Sequence, residues 1–188
     1  MTANAELTLT FTIVAKLAVA DQIMRFELAP PAGMTLPVVE AGAHIQVEVP
    51  NGQIRKYSLC QGPDITDRYV IAVKREDNGK GGSRSLIDDT TIGMQLRIST
   101  PINDFPLKGN PVRYIFIAGG IGITPIYSMM KTLMETGGKP FRLYYLSRSP
   151  EQTAFLNELQ GPEYRGKVVI HHDQGDPDQA YDLWPVLE

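Results

Sequence analysis

Tyr114-Ile115-Phe116-Ile117-Ala118-Gly119-Gly120-Ile121-Gly122-Ile123-Thr124-Pro125 is the stretch that decides the fold class. The apolar run 114–117 reads as a buried parallel strand. It feeds a Gly-rich turn, and Pro125 suits the first turn of a helix. A strand, a Gly-rich turn and a helix are how α/β folds hold phosphates and dinucleotides. Glycine lets the backbone approach an anion, and the helix N-terminus offers unpaired N–H groups. The spacing is not the G-x-G-x-x-G fingerprint, because Gly119, Gly120 and Gly122 lie too close together. The turn alone is weak; its weight comes from what surrounds it.

Downstream, helix 124–135 carries Ile126, Met129, Met130 and Leu133 at helical spacing and closes at Gly137-Gly138. Strand 141–146, helix 153–160 and strand 167–171 complete a β-α-β-α-β series, the start of a parallel sheet. Residues 182–188 read as one more helix with no strand after it. Upstream, residues 6–107 read differently. Runs 7–14, 22–28, 43–49, 68–75 and 95–99 are short strands broken by Gly and Pro, and a short helix starts near Ser83. That pattern predicts a small antiparallel barrel. The expected class is thus β plus α/β: a barrel over 1–108, then a partial nucleotide-binding domain over 111–188, divided at Gly109-Asn110-Pro111.

Within the barrel, Pro50-Asn51-Gly52 sits between two extended runs, a strong hairpin signal. The second run opens Arg55-Lys56-Tyr57-Ser58-Leu59. Arg55 offers a planar fork suited to phosphate. Tyr57, two residues on, shares its strand face, so one strand presents an anion clamp and an aromatic platform. Ser58 adds a hydroxyl. By itself this is also what an edge strand with an exposed Arg and a packing Tyr looks like. The later Gly79-Lys80-Gly81-Gly82-Ser83-Arg84-Ser85 reads as a phosphate nest at a helix start or as a flexible surface turn.

R-x-Y-S-L, the Gly79–Ser85 loop and G-G-I-G-I-T-P, in this order, resemble the ferredoxin reductase-like flavoproteins across nearly the whole chain. The resemblance is to reductase components of Rieske-type aromatic oxygenases, of the phthalate dioxygenase reductase and vanillate demethylase reductase kind. It implies FMN in the barrel, with FAD as the alternative, and NADH or NADPH as donor. Arg55 and Lys56 then belong to the flavin site, Arg55 gripping the phosphate. Tyr57 packs on the isoalloxazine ring and Ser58 sits near its reactive nitrogen. Ala72, Val73 and Lys74 line the pyrimidine edge, with Lys74 either stabilising charge there or solvated. Gly81, Gly82, Ser83 and Ser85 hold the phosphate. Gly119, Gly120 and Thr124 face the nicotinamide and pyrophosphate, with Ser58 and Thr124 the catalytic pair. Thr124 also suits a helix N-cap. Ser147 and Arg148 meet the adenosine ribose, although Arg148 as a solvated loop charge fits as well; the lean is to NADH. The family's next strand, with its Cys-Gly-Pro motif, and its ferredoxin-like domain are not found, so a truncated reductase, or the ordered part of a longer one, is expected. The rival expectations are a flavin-binding module that takes nicotinamide hydride poorly and an FAD-dependent ferredoxin reductase.

Composition narrows the classes. The 188 residues suit one large or two small domains, and 43% hydrophobic content supports a core. A net charge of −3 argues against nonspecific nucleic-acid binding. No apolar run approaches the ~18 residues of a membrane span, and no basic segment precedes the N-terminal apolar stretch, so a cytoplasmic chain is expected. The single cysteine, Cys60, reads as a buried structural residue. A cysteine-ligated iron–sulfur cluster takes four, so any [2Fe–2S] centre belongs to a missing domain or a separate partner, a ferredoxin or a Rieske-type oxygenase. His171-His172-Asp173 suggests a metal site, but neighbours on a strand point to opposite faces and chelate poorly. No metal is expected. No G-x-S-x-G or H-E-x-x-H pattern supports a hydrolase.

Overall fold

The computed structural model describes residues 7–187. Strands β1 (Leu9–Ala20), β2 (Ile23–Ala29), β3 (His44–Glu48), β4 (Ile54–Ser58), β5 (Tyr69–Lys74) and β6 (Gln95–Ile98) form one antiparallel sheet, ordered β4-β3-β6-β1-β2-β5. The two edges meet where Leu59 bridges Ile71 and the Cys60 N–H donates to the Val70 carbonyl, closing the sheet into a barrel. Inside, Phe11, Ile13, Phe26, Leu28, Ile45 and Ile71 are fully buried. Phe11 stacks on Tyr69 with ring centroids 5.1 Å apart. Helix α1 (Gly82–Asp88) covers one end and buries Leu86.

β1 runs well beyond the expected 7–14. Register shifts between Ile13 and Ala15 and between Ala18 and Ala20 let it bend and keep pairing with β2. Lys16, in its middle, is accommodated because its ammonium donates to the carbonyls of Ile87 and Thr90, both at 2.6 Å. The hydrophobic pattern alone stops where that lysine begins.

The second layer is a parallel sheet ordered β7-β8-β9: Tyr114–Gly119, Phe141–Ser147 and Val168–His172. After β7 a 3₁₀ turn at Gly120–Gly122 runs directly into helix α2 (Ile123–Glu135). Helix α2 lies between barrel and sheet. Its Ile126, Met129 and Met130 share one apolar cluster with Ile23, Val70 and Ala72 of the barrel and with Phe116, Leu143 and Tyr145 of the sheet. Burial at about 25 cal/mol per Å² of apolar surface makes this joint a core, not a hinge. It is also hydrogen-bonded. Gly42 N–H donates to Ser128 Oγ at 3.1 Å, and Asp21 N–H to the Glu151 carbonyl at 2.6 Å.

The expected helix 153–160 is reduced to a 3₁₀ turn at Pro150–Gln152 and a single turn, α3 (Leu156–Leu159). The cause is Phe155, which takes φ +60 and so breaks the helix. In that conformation its ring stacks on Tyr127 at 4.3 Å. Such a pair contributes about 0.5–1.5 kcal/mol beyond burial. The last described element is α4 (Trp184–Leu187), which starts two residues later than the expected 182–188; Glu188 lies outside the described residues. No helix among the described residues is long and apolar enough to cross a membrane.

Candidate functional site

β4 pairs with β3 along its length, Arg55 opposite Val47 and Tyr57 opposite Ile45. β5 pairs with β2, placing Ala72 and Val73 opposite Arg25 and Met24. Between these strands, the 79–83 turn and the start of α2 opens a cleft of about 640 Å³. Arg55, Lys56, Tyr57 and Ser58 form one wall, and Ala72, Val73 and Lys74 another. Gly81, Gly82 and Ser83 close one end, and Thr124 projects from α2. The volume is in the range of cofactor-sized sites.

A second hollow of about 370 Å³ lies beyond the C-terminal ends of the parallel strands, where open α/β sheets bind ligands. Gly119, Gly120, Ser147 and Arg148 line it, with Asp173. Lys74 and Ile121 line both hollows, so the two adjoin.

Two expectations are corrected. Ser85 does not line the cleft; it is buried, and its Oγ accepts from the Asn51 N–H at 3.0 Å, fastening the β3–β4 hairpin to α1. Thr124 is not an N-cap, because the 3₁₀ turn feeds straight into the helix. It lies inside the first turn, with its hydroxyl donating to the Ile121 carbonyl at 3.1 Å. Ser83 Oγ likewise serves the scaffold, accepting from the Glu76 N–H. Ser147 Oγ bonds Thr153 Oγ1 at 2.7 Å.

The histidine pair splits as adjacent strand residues should. His171 Nε2 meets the Gln179 carbonyl at 2.6 Å, and His172 Nε2 meets Thr153 Oγ1 at 3.0 Å. Among the described residues no cluster of three His, Cys, Asp or Glu could hold a metal. Cys60 is buried, and burial pushes its thiol up to about 12. It is a packing residue.

The cleft sets an arginine, an unpaired tyrosine hydroxyl and a glycine turn side by side. Burial pushes the Tyr57 hydroxyl up to about 12, with Arg55 opposing, and that hydroxyl has no hydrogen-bond partner. A buried orphan of this kind is open to a ligand's polar group. Gly82 forms a cradle: a Cβ there would come within 2.6 Å of Arg55 Nε, so only glycine lets the guanidinium lie across the turn. Lys74 is half-exposed and pairs with Glu76 at 3.2 Å. These residues fit a flavin.

Two groups escape a motif-based reading. Asp173 borders the second hollow, with its carboxylate accepting from the Gly175 N–H at 2.8 Å. A smaller hollow of about 240 Å³ lies behind Ser58 and Lys56, lined also by His44, Asp104 and Phe105. His44 stands opposite Ser58 across the strand pair, a relation visible only once the register is known. Gln53, which precedes β4 and touches Arg55, also belongs to none of the motifs, although it continues the strand face of Arg55 and Tyr57.

Known proteins match on both layers. The model of the oxidoreductase FAD-binding domain matches residues 10–106, over half the chain. The chain belongs to the oxidoreductase FAD-binding domain family. The oxidoreductase NAD-binding domain model matches residues 116–182. The phthalate 4,5-dioxygenase oxygenase reductase subunit of Pseudomonas putida is 54% identical over 176 residues, 94% of this chain and 54% of that protein. The vanillate O-demethylase oxidoreductase of Pseudomonas putida is 42% identical over 168 residues, 89% and 52% of the two chains. The solved phthalate dioxygenase reductase, described as a modular structure for electron transfer from pyridine nucleotides to [2Fe–2S], superposes with a TM-score of 0.91 at 52% identity. That match covers 95% of this chain and 56% of the other. The chain thus spans about half the length of the curated relatives it matches.

Proposed function

We propose that this chain is the flavin- and nicotinamide-binding part of an oxygenase reductase, accepting hydride from NADH and passing electrons singly to an iron–sulfur centre outside these 188 residues. The observation that carries the reading is the adjacency of the two hollows, which share Lys74 and Ile121. A cofactor in one and a nucleotide in the other would lie side by side. Bound flavin supplies hydride acceptance and release of single electrons; the protein supplies stacking, orientation and anchoring.

Arg55 and the backbone N–H groups of the 81–83 turn would hold the flavin phosphate, Tyr57 and Ala72 would pack against its ring, and Ser58 and Thr124, from opposite walls of the cleft, would orient it. One fork and one short turn suit a single terminal phosphate, which favours FMN over FAD. Gly119 and Gly120 let the pyrophosphate of the donor approach the end of β7. Asp173 beside Arg148 favours a ribose hydroxyl over a 2′-phosphate, hence NADH. The acceptor is a ferredoxin domain or a Rieske-type oxygenase, since one buried cysteine ligates no cluster.

The test is direct. Purified protein releases FMN on denaturation, identified by mass, and anaerobic NADH bleaches the flavin absorbance. A protein that takes up neither FMN nor FAD overturns the reading. A second reading is a flavin module that takes hydride poorly; among the described residues the parallel sheet has three strands with β7 at its edge. Flavin uptake without NADH oxidation by an artificial acceptor would select it.

A further inference from the structure

Gln53 has no place in the motifs, yet it touches both halves of the phosphate end. It follows the Asn51-Gly52 turn, where Gly52 adopts φ +78 and the Val49 N–H donates to the Gln53 carbonyl at 2.9 Å. The hairpin therefore fixes its backbone. Gln53 and Arg55 are two residues apart in extended chain, so they share a face. Gln53 Oε1 accepts from Arg55 Nη2, while Gln53 Nε2 donates to the Lys80 carbonyl at 2.7 Å. Arg55 Nη1 is held in turn by the Ile54 carbonyl at 2.9 Å. Beside this bridge, Asn51 Nδ2 donates to the Gly81 carbonyl at 3.2 Å.

One neutral amide thus does two things at once. Its oxygen aims the guanidinium, and its nitrogen fixes the turn whose glycines face the cleft. Its amide accepts from the arginine through oxygen and donates to the carbonyl through nitrogen, within one short planar group. A glutamate would keep the arginine, lose the carbonyl and set a negative charge beside an incoming anion. An arginine free to swing has to be ordered on binding, at the expense of affinity.

We propose that Gln53 is a positioning residue for the ligand's phosphate: it holds the Arg55 fork and the 80–82 turn in the one arrangement that meets a terminal phosphate ester. The proposal rests on the flavin reading above and concerns only the phosphate end of that site. Its signature is selectivity for phosphate, not loss of flavin binding in general.

The experiment is fluorescence titration of the full chain, stripped of flavin, with FMN and with riboflavin, which lacks the phosphate. The expected result for Gln53→Ala is FMN affinity lowered about tenfold, the loss of one charge-assisted hydrogen bond, with riboflavin affinity changed less than about twofold. Gln53→Glu lowers FMN further and again spares riboflavin. Both variants keep the wild-type melting temperature within a few degrees, since Gln53 buries no core surface. Equal losses for FMN and riboflavin would make Gln53 merely structural and overturn the proposal. So would unchanged FMN affinity in both variants. A wild-type chain that binds neither compound fails the flavin reading itself, which is a different outcome.

Discussion

In the barrel cleft, Arg55, Tyr57, Ala72 and Val73 stand on strands paired along their length, and the turn that closes the end is tied to the hairpin by Gln53 and Asn51. In the crevice beyond the parallel sheet, Gly119, Gly120, Ser147, Arg148 and Asp173 all sit at or just past strand ends. The sheet beneath has three strands, and β7 carries half-exposed Ile115 and Ile117 on its edge strand. Geometry in the cleft is over-determined; geometry in the crevice depends on loops. That contrast suits a resident ligand in the first and an exchanging ligand in the second, as proposed for flavin and nicotinamide. It also separates what each substitution should do.

The joint between the two regions gives the largest expected effect. Gly42 has φ +92, and a Cβ there would meet the Phe105 carbonyl oxygen at 2.0 Å and Met129 at 2.8 Å. Backbone strain and a backbone clash coincide, so Gly42→Ala should cost about 3–5 kcal/mol in unfolding free energy by urea titration. Gly120 in the crevice is the control. It has φ +48 but nothing within 4 Å of a built Cβ, so Gly120→Ala should cost only about 1 kcal/mol. Similar losses at both positions would mean the joint is as yielding as the crevice, and the contrast would fail.

Ligand binding sharpens the same comparison. Arg55→Ala should weaken FMN binding by about 1.5–3 kcal/mol, the scale of a hydrogen bond to a charged group. Lysine should restore only part of it, lacking the fork. Arg148 is exposed on a loop, and Arg148→Ala should change NADH affinity by about 1 kcal/mol or less, read as a change in KM. An Arg148 effect exceeding that of Arg55 would invert the assignment of the two regions.

Much of this was legible in sequence because local rules govern it. The strand, turn and helix of 114–135 follow from periodicity and glycine placement, although 114–117, read as buried, lies on an edge strand with Ile115 and Ile117 exposed; the run Arg55–Ser58 follows from period-two spacing. What stayed hidden depends on partners far along the chain. Lys16 extends β1 only because the Ile87 and Thr90 carbonyls receive it. Phe155 breaks its helix for the sake of Tyr127. Ser85 looks like a phosphate ligand until Asn51 is seen to claim its hydroxyl. Gln53 was within reach: the face that holds Arg55 and Tyr57 continues back to it. His44 was not, since its position depends on the register of two strands.

His44 carries the smallest expected effect and the one most specific to the barrel. It is buried, its Nε2 lacks a hydrogen-bond partner, and the Asp104 carboxylate stands 4.0 Å away. Lys56 lies nearby, paired with the same Asp104 at 3.5 Å. Burial, with help from Lys56 and against Asp104, lowers the imidazole below its ordinary 6.5. In the unfolded chain the ring takes its proton near 6.5, while in the folded chain it resists until the pH is lower. Between those points the unfolded state binds more protons, so unfolding free energy rises with pH and falls as pH drops. Urea titrations at several values between about pH 8 and about pH 5 should show this loss in wild type. Carboxylates contribute over the same range, so the informative quantity is the difference from His44→Gln, which stays neutral throughout. The variant should lose less stability on acidification than wild type, with the two curves separating as the pH falls through 6.5. Parallel curves would show that the folded protein takes up the His44 proton as readily as the unfolded chain, and that the hollow behind Ser58 is wetter and less constrained than the cleft it adjoins.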